Sequence, residues 1–188
     1  MDYTSLDSPK KIMTDNSYDW KNNLKCRIPK TDVIYYAQAL HNDEHGISSL
    51  YNALLTSGDE RVSYNAAWIL SHLSKADKEM YLTAYYDSLV NLSMSPKLSI
   101  RRGLILSILV DMSVGDSPRT DLLDYCLNGM LDKKESDSTR SVMIKLSARM
   151  CKPYPELKNE LMANLEFLSQ DMKPSISSAS RNAMKYLK

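Results

Sequence analysis

One segment of the chain, residues 61–73, recurs further along in weakened form, and this internal repeat constrains the fold more than any other feature. Shifted by 36 positions, its small and apolar residues meet residues 97–109, and a further shift of 40 brings Leu146 and Ser147 into register. The apolar residues of the segment are spaced three and four apart, which is typical of an amphipathic helix. Repetition every 35–40 residues therefore predicts helical hairpins that stack, because one hairpin cannot bury its apolar face alone.

Composition and length agree with an all-α protein. The 188 residues include only 5 glycines and 7 prolines, and no proline lies in a predicted helix beyond its first turn. A chain of this length buries roughly 70% of its unfolded surface, so it needs no disulfide or metal to fold. Cys26, Cys126 and Cys151 have no C-x-x-C spacing, which argues against a disulfide framework or a zinc cluster. Cys126 and Cys151 are predicted to be small core residues.

No part of the sequence predicts a membrane partner or secretion. The longest apolar run is far shorter than the roughly 18 residues that can cross a bilayer, and the N-terminus has no apolar core typical of a secretory signal. We therefore expect a soluble, cytoplasmic protein.

Helical periodicity divides the chain into a polar lead and one repeat domain. Residues 1–30 are rich in Asp, Asn, Ser and Lys and are predicted to be irregular, with Trp20 as an anchor. Residues 31–188 are predicted to form a single domain with a leading helix, running from an N-cap at Thr31 along Ile34, Ala37 and Leu40 to a stop at Gly46. Four hairpins follow, with apolar stripes in residues 47–56 and 62–73, 82–92 and 98–112, 123–130 and 142–150, and 157–168 and 176–187.

Proline and capping residues set the expected ends of the later helices. One helix is predicted over about residues 78–94, where Pro96 breaks the chain. Ser117 and Pro118 are typical of an N-cap and a first helical position, and Tyr154 and Pro155 are expected to open the next helix.

The turn at Asp59 leads into a helix of the pattern basic, apolar, variable, small, small, and here the chain resembles HEAT-like repeats. Weaker versions of the pattern lie at residues 100–103 and 140–142. Residues 61–73, 98–109 and 154–161 also resemble an uncharacterised bacterial family of short HEAT-like proteins. The resemblance covers about residues 47–188 and implies an α-α superhelix, that is, a HEAT/ARM-like solenoid. It departs at Asn65, where a basic residue is expected, and in the polar residues 138–141.

Some proteins of that family carry the label adenylosuccinate lyase, and residues 177–185 have a faint compositional likeness to the signature loop of such lyases. That loop is flexible, whereas residues 176–187 have helical periodicity, and the chain is far shorter than a lyase of this kind. The lyase activity is therefore rejected.

Charge separates the two helices of each hairpin. The second helices (residues 60–75, 97–113, 137–152 and 173–188) hold 13 basic and 3 acidic residues, whereas the first helices of the later hairpins (78–94, 117–132 and 154–171) hold 3 basic and 9 acidic. Second helices line the concave face of HEAT-like stacks, so the resemblance implies a basic binding face drawn from Arg61, Arg101, Arg102, Arg140, Arg149 and Arg181. The simpler interpretation is that these cations pair with acidic neighbours, cap helix carbonyls or face solvent.

The function that these features favour is a non-enzymatic scaffold that binds another macromolecule, with protein as the expected partner and no cofactor. The alternative is a nucleic-acid-binding repeat protein similar to alkylated-DNA-repair glycosylases, which are also HEAT-like. A net charge of +1 and a pI near 7.7 favour it less. Trp68 is the one tryptophan of the repeats, and its neighbours Ile69 and Leu70 predict burial between helices.

Residues 41–45 match H-x-x-E-H, the pattern in which two histidines one helical turn apart bind zinc and the glutamate activates water. The pattern needs an intact helical turn, but it precedes Gly46 at an expected helix end. A polar helix terminus is the simpler explanation, and no metal site is predicted.

Overall fold

The computed structural model describes residues 19–96, 100–113 and 119–188, and their regular structure is helical. The chain divides into two units, the first ending at Leu82 and the second beginning at Thr83. No strand occurs among these residues, so the predicted all-α fold is confirmed. The helices of unit 1 are α1 (Trp20–Asn23), α2 (Lys30–Ala39), α3 (Glu44–Thr56), α4 (Glu60–His72) and α5 (Lys75–Leu82).

Helix α4 is the centre of unit 1, because α1, α2 and α3 all pack on it. The Asp59 side chain begins the helix by accepting hydrogen bonds from the N–H groups of Arg61 and Val62, at 2.7 and 3.2 Å. Gly58, with a φ of +66°, makes the left-handed turn between α3 and α4. The predicted apolar face is confirmed by the burial of Val62, Ala66, Ile69 and Leu73.

Trp20 fixes the first described residues to unit 1. Its side chain is 2% exposed, and its ring meets that of Tyr36 edge-on with centroids 5.9 Å apart. The predicted anchor is therefore confirmed. The predicted boundary between an irregular lead and a single repeat domain at residue 30 stays a prediction.

The leading helix ends earlier than predicted, so the predicted stop at Gly46 is wrong. Helix α2 begins at Lys30, with Pro29 rather than Thr31 at the N-cap, and ends at Ala39. Asn42 then adopts a positive φ of 59°, and Asp43 caps a new helix by accepting a hydrogen bond from Gly46 N–H at 2.9 Å. Gly46 consequently lies in the first turn of α3.

The buried stripe of α2 also differs in one position from the prediction. Ile34 is 39% exposed, whereas Val33 and Tyr36 are buried beside the predicted Ala37 and Leu40. Residues 33 and 34 are adjacent in an apolar pair, and periodicity alone does not say which of them faces the core.

Unit 2 is a row of three helical hairpins. Their helices are α6 (Tyr86–Met94), α7 (Arg102–Asp111), α8 (Thr120–Gly129), α9 (Asp137–Cys151), α10 (Lys158–Ser169) and α11 (Pro174–Leu187). The second helices α7, α9 and α11 pack in succession, and each also packs on its own first helix. At Gly103 a Cβ would lie 2.8 Å from Oγ1 of Thr139, so α7 and α9 approach more closely than a larger residue permits.

Two predicted helices of this part of the chain are shorter in the structure. The helix expected over residues 78–94 is interrupted by a 3-10 turn at Thr83–Tyr85, between α5 and α6. Leu82 and Leu89 are buried on either side, and their spacing fits a continuous helix equally well, which explains the error. Tyr154 and Pro155 lead into a 3-10 turn, and α10 begins only at Lys158. The predictions for Leu98, Ser117 and Pro118 lie outside the described residues.

Burial corrects the register of the repeat. The buried positions of α4, α7, α9 and α11 superpose when Ser63, Arg102, Arg140 and Ser177 are aligned, with spacings of 39, 38 and 37 residues. The predicted shifts of 36 and 40 were therefore wrong by three residues at the first step. A shift of three residues rotates a helix to within about 60° of a full turn. The apolar faces of the repeats therefore still overlap in the wrong register.

Candidate interaction surface and arginine links

Arg102 joins the first hairpin of unit 2 to the second. Its Nε donates a hydrogen bond to the Ser93 carbonyl at 3.1 Å, in the last turn of α6, where carbonyls lack helical partners. Its guanidinium forms an ion pair with Glu135 in the turn before α9 and lies 5.5 Å from the ring centroid of Tyr125 on α8. Arg102 is 7% exposed, so these contacts are internal.

Arg140, at the equivalent position of α9, repeats this arrangement. Its Nε donates to the Met130 carbonyl at 2.9 Å, and its terminal nitrogens lie 3.6 Å from Asp137 and 3.5 Å from Asp171. Asp171 belongs to the turn before α11, as Glu135 belongs to the turn before α9. We call Arg102 and Arg140, with their carbonyl and carboxylate partners, the arginine links.

In unit 1, neutral side chains donate hydrogen bonds to carbonyls at the ends of the preceding helices. Ser63 Oγ donates to the Leu54 carbonyl at 2.6 Å, in the last turn of α3. Asn65 Nδ2 donates at 2.9 Å to the carbonyls of both Leu24 and Cys26, which follow α1. The departure from the HEAT-like pattern at Asn65 thus has a structural cause, because its side chain satisfies two carbonyls of the preceding segment.

The six arginines predicted to share one basic face occupy three kinds of position. Arg101, Arg102 and Arg140 are buried, at 9%, 7% and 4% exposure. Arg61 is exposed in the first turn of α4, and Arg149 is half-buried in the last turn of α9. Arg181 is exposed on α11, at the position equivalent to buried Ile144 of α9. The binding face stays a prediction, and its exposed or half-exposed members are Arg61, Arg149 and Arg181.

A polar strip runs along the neighbouring helices α9 and α11 of unit 2. The corrected register aligns four positions of α9 with four of α11, and all eight are exposed or half-exposed. We call this strip the outer face; it consists of Ser138, Ser141, Lys145 and Arg149 on α9 and Ser175, Ser178, Asn182 and Tyr186 on α11. Lys152 Nζ lies 4.0 Å from the ring centroid of Tyr186, so one end of this face is cationic and aromatic.

The corresponding side of α4 in unit 1 carries aromatic rings. Trp68 is half-buried rather than buried, so the sequence prediction for it is wrong. Its ring centroid lies 6.2 Å from that of Tyr64 and 6.3 Å from that of His72, one helical turn away on either side. With Arg61 one turn before Tyr64, these residues form an aromatic stripe.

The H-x-x-E-H residues do not share a helical turn. His41 precedes α3 and its Nδ1 lies 3.0 Å from the carboxylate of buried Asp77, whereas His45 belongs to the first turn of α3. Asp77 also accepts hydrogen bonds from Ser74 Oγ at 2.6 Å and Asn42 N–H at 3.1 Å. Burial opposes ionisation of this carboxyl, but the hydrogen bonds prevail and lower its pKa. These hydrogen bonds to Asp77 on α5 give a structural role to the polar residues that follow α2, because they bridge the two helices.

A second surface of unit 2, beside the turns that precede α9 and α11, was not predicted from the sequence. Phe167 is the one phenylalanine of the chain and is 72% exposed, and Met172 is 96% exposed. The available signal was that Phe167 lies outside the stripe of Leu161, Leu165 and Leu168, which is buried. A bulky apolar residue off the packing face indicates a contact that the helix pair itself does not need.

Consecutive helical hairpins with packed second helices define a helical-repeat protein. A model of the HEAT repeat domain family matches residues 20–187, and the chain belongs to this family. Neither a curated protein nor a solved structure matches the chain significantly. Within the described residues, no helix is long and apolar enough to span a bilayer, and no three His, Cys, Asp or Glu residues are grouped to hold a metal ion.

Proposed function

We propose that this chain is a non-enzymatic scaffold that binds another protein through the outer face of unit 2. The observation that carries the proposal is the alignment of small polar side chains on α9 and α11 beside the cations Lys145 and Arg149. Ser and Asn side chains let a partner backbone approach closely and offer it donors and acceptors. Lys145 and Arg149 favour an acidic segment in the partner, since complementary charge guides association.

The simpler interpretation of the basic residues supports this choice of face. Arg102 and Arg140 have internal carbonyl and carboxylate partners, so a partner contact would have to break buried hydrogen bonds. A partner that binds Lys145, Arg149 and Arg181 at their exposed or half-exposed positions breaks none of these buried hydrogen bonds. The arginine links then stay intact.

Site-specific photocrosslinking in the native cell tests the proposal. A photoreactive residue at Ser178 on the outer face is expected to capture a protein partner, and the same residue at Asp124, exposed on α8, is the control. Adding Lys145→Glu and Arg149→Glu should abolish the capture at position 178. Equal capture at both positions, or capture that survives the charge reversal, contradicts the proposal.

The aromatic stripe of α4 favours nucleic-acid binding as a second function. Tyr64, Trp68 and His72 are spaced one turn apart, and aromatic rings of this kind stack on unpaired bases at about 1–3 kcal/mol per base. Single-stranded oligonucleotide binding at low salt, weakened about tenfold by Trp68→Ala but not by Tyr35→Ala, is the expected result for this function. No binding at low salt removes it, because phosphate contacts are strongest there.

A further inference from the structure

The turns before α9 and α11 enclose an open cleft of about 630 Å³ within unit 2. Its lining includes Leu131 and Lys133 from the first turn, Met172 and Lys173 from the second, Arg140 from α9 and Phe167 from α10. The volume is in the range that holds a few side chains of a ligand, about 300–1,000 Å³. The cleft shares no lining residue with the outer face, so the two are separate candidate sites.

Three apolar side chains gather at this cleft without being needed for packing. Phe167 is 72% exposed, Met172 is 96% exposed and Leu131 is 38% exposed. The core of the same hairpins is already filled by residues such as Leu165, Leu168 and Met130, which are at most 1% exposed. Clustered exposed apolar residues with a polar rim are typical of protein interaction sites, where aromatic anchors supply most of the affinity.

The charges at the rim favour an acidic ligand. The two carboxylates of the lining are already paired: Asp171 lies 3.5 Å from Arg140, and Asp137 lies 3.6 Å from Arg140 and 3.8 Å from Lys173. Lys133 brings a further cation, and the Lys173 side chain is 63% exposed. Three cations against two paired carboxylates leave a positive balance that complements acidic residues in a ligand.

The concave shape and the small positive balance distinguish a peptide from other anionic ligands. A bilayer is flat and would meet only the rim of the cleft. A phosphate backbone carries a negative charge at every nucleotide and needs a more extended basic surface than three cations beside two carboxylates. A peptide can instead insert one bulky side chain between Phe167 and Met172 and place acidic neighbours beside the lysines.

We propose that this cleft binds a short acidic peptide segment of another protein, anchored by an aromatic or large aliphatic side chain. The proposal goes beyond the scaffold function, because it assigns a second site on the turns.

Fluorescence anisotropy with labelled peptides and the full chain tests the proposal. The probe is a peptide with one Trp flanked on both sides by Asp and Glu, and the matched probes replace Trp by Ala or the acidic residues by Lys. The acidic Trp peptide is expected to bind with a Kd in the micromolar range, and both matched probes should bind at least about tenfold more weakly, which corresponds to about 1.4 kcal/mol. Raising the salt from about 0.05 to 0.5 M should weaken the binding.

Variants assign the binding to the cleft. The double variant Phe167→Ala with Met172→Ala should lose at least about tenfold in affinity, whereas Met80→Ala, an exposed methionine of unit 1, should not. Lys133→Glu should weaken binding and Lys145→Glu on the outer face should not. Circular dichroism should show the same unfolding for the double variant and the parent chain, since both side chains are exposed.

Other outcomes overturn the proposal. Binding that is equal in the double variant and the parent, or absent in the parent, refutes the peptide site. Binding of phosphatidylserine vesicles without binding of the peptide replaces it by a membrane contact. Photocrosslinking at Ser178 is independent of these results, so the scaffold proposal and the cleft proposal can fail separately.

Discussion

The two units bond the carbonyl ends of their helices by different chemistry. Unit 1 uses the short neutral side chains of Ser63 and Asn65, and unit 2 uses Arg102 and Arg140. A serine or asparagine side chain is short and bonds carbonyls of one neighbouring segment. An arginine donates to a carbonyl through Nε and has two further nitrogens, which can pair with a carboxylate in the turn before the following second helix. An arginine on a second helix can therefore serve packing between hairpins, and the number of basic residues alone does not define a binding face.

The largest expected effect comes from removing an arginine link. Arg102→Met leaves the Ser93 carbonyl and Glu135 without their buried partner, and we expect a loss of about 3 kcal/mol in the free energy of unfolding. Urea titration followed by circular dichroism measures this loss. Lys145→Met on α9, where the side chain is exposed, should change the free energy by less than about 0.5 kcal/mol.

Thiol labelling of the Arg102→Met variant shows which unit opens. Burial raises the pKa of Cys126 to about 12 and that of Cys151 to about 11, and both predicted core thiols are fully buried in unit 2. Cys26 in unit 1 is exposed. Arg102→Met should therefore accelerate labelling of Cys126 and Cys151 and leave the rate at Cys26 unchanged. Equal acceleration at all three thiols would contradict a link confined to unit 2.

A smaller loss of stability is expected when a hydrogen bond from a neutral side chain of unit 1 is removed. Asn65→Leu removes the donor for two carbonyls and should destabilise the protein by about 2 kcal/mol, because unpaired buried polar groups cost about 1–3 kcal/mol. Asn52→Leu, at an exposed position of α3, is the matched control. The measurement is the same urea titration, and proteolysis between residues 24 and 30 should become faster only in the Asn65 variant.

Acid should weaken both units, since each holds a carboxyl whose pKa is lowered. The N–H of Lys173, and then Arg140, lower the pKa of Asp171, and hydrogen bonds outweigh burial at Asp77. A lowered pKa in the folded state contributes stability above the ordinary carboxyl value of about 4, and this contribution is lost as the pH falls through the lowered value.

Asp77→Asn should therefore reduce the difference between the urea midpoints at about pH 7 and pH 3, because an amide does not titrate there. Asp124→Asn, at an exposed position of α8, is the control. If the Asp77 variant keeps the full pH dependence of the parent, the buried bridge does not contribute to acid sensitivity.

The smallest effect is expected at an exposed charge cluster in unit 2. Arg119 contacts Asp87 at 2.7 Å and Asp121 at 2.6 Å, but these carboxylates are 78% and 51% exposed. Arg119→Met should destabilise the protein by less than about 1 kcal/mol, and the difference should shrink in about 1 M salt because exposed pairs are screened. A loss as large as that of Arg102→Met would remove the distinction between buried links and surface pairs.

Helical periodicity predicted most of the fold because it acts locally. The buried face of α4 and the final helix after Pro174 are both encoded within a few residues. Capping was predicted less well, since Pro29 rather than Thr31 is the N-cap of α2. Gly46 was assigned wrongly because a glycine can occupy a first turn as well as a last one, and the Asp43 cap decided between them.

The candidate site was harder to predict because charge patterning does not report burial. Arg102 and Arg181 look equivalent in the sequence, but one is 7% exposed and the other is exposed to solvent. Glu135 and Asp171, the carboxylates by which Arg102 and Arg140 reach the next hairpin, are 33 and 31 residues away from them and belong to turns. No local sequence pattern connects residues at that distance. They are brought together only by the register in which the helices stack.

The arginine links also bear on which surface turns can change in length. Exposed turns normally accept inserted residues. In unit 2, however, the turns before α9 and α11 carry Glu135 and Asp171, each held by an arginine of the preceding hairpin. An insertion between α8 and Glu135 would displace the carboxylate while leaving both helices intact. Length variation should therefore be tolerated less in these turns than their exposure indicates, and a hairpin grafted into this array would need an acidic residue at the matching place.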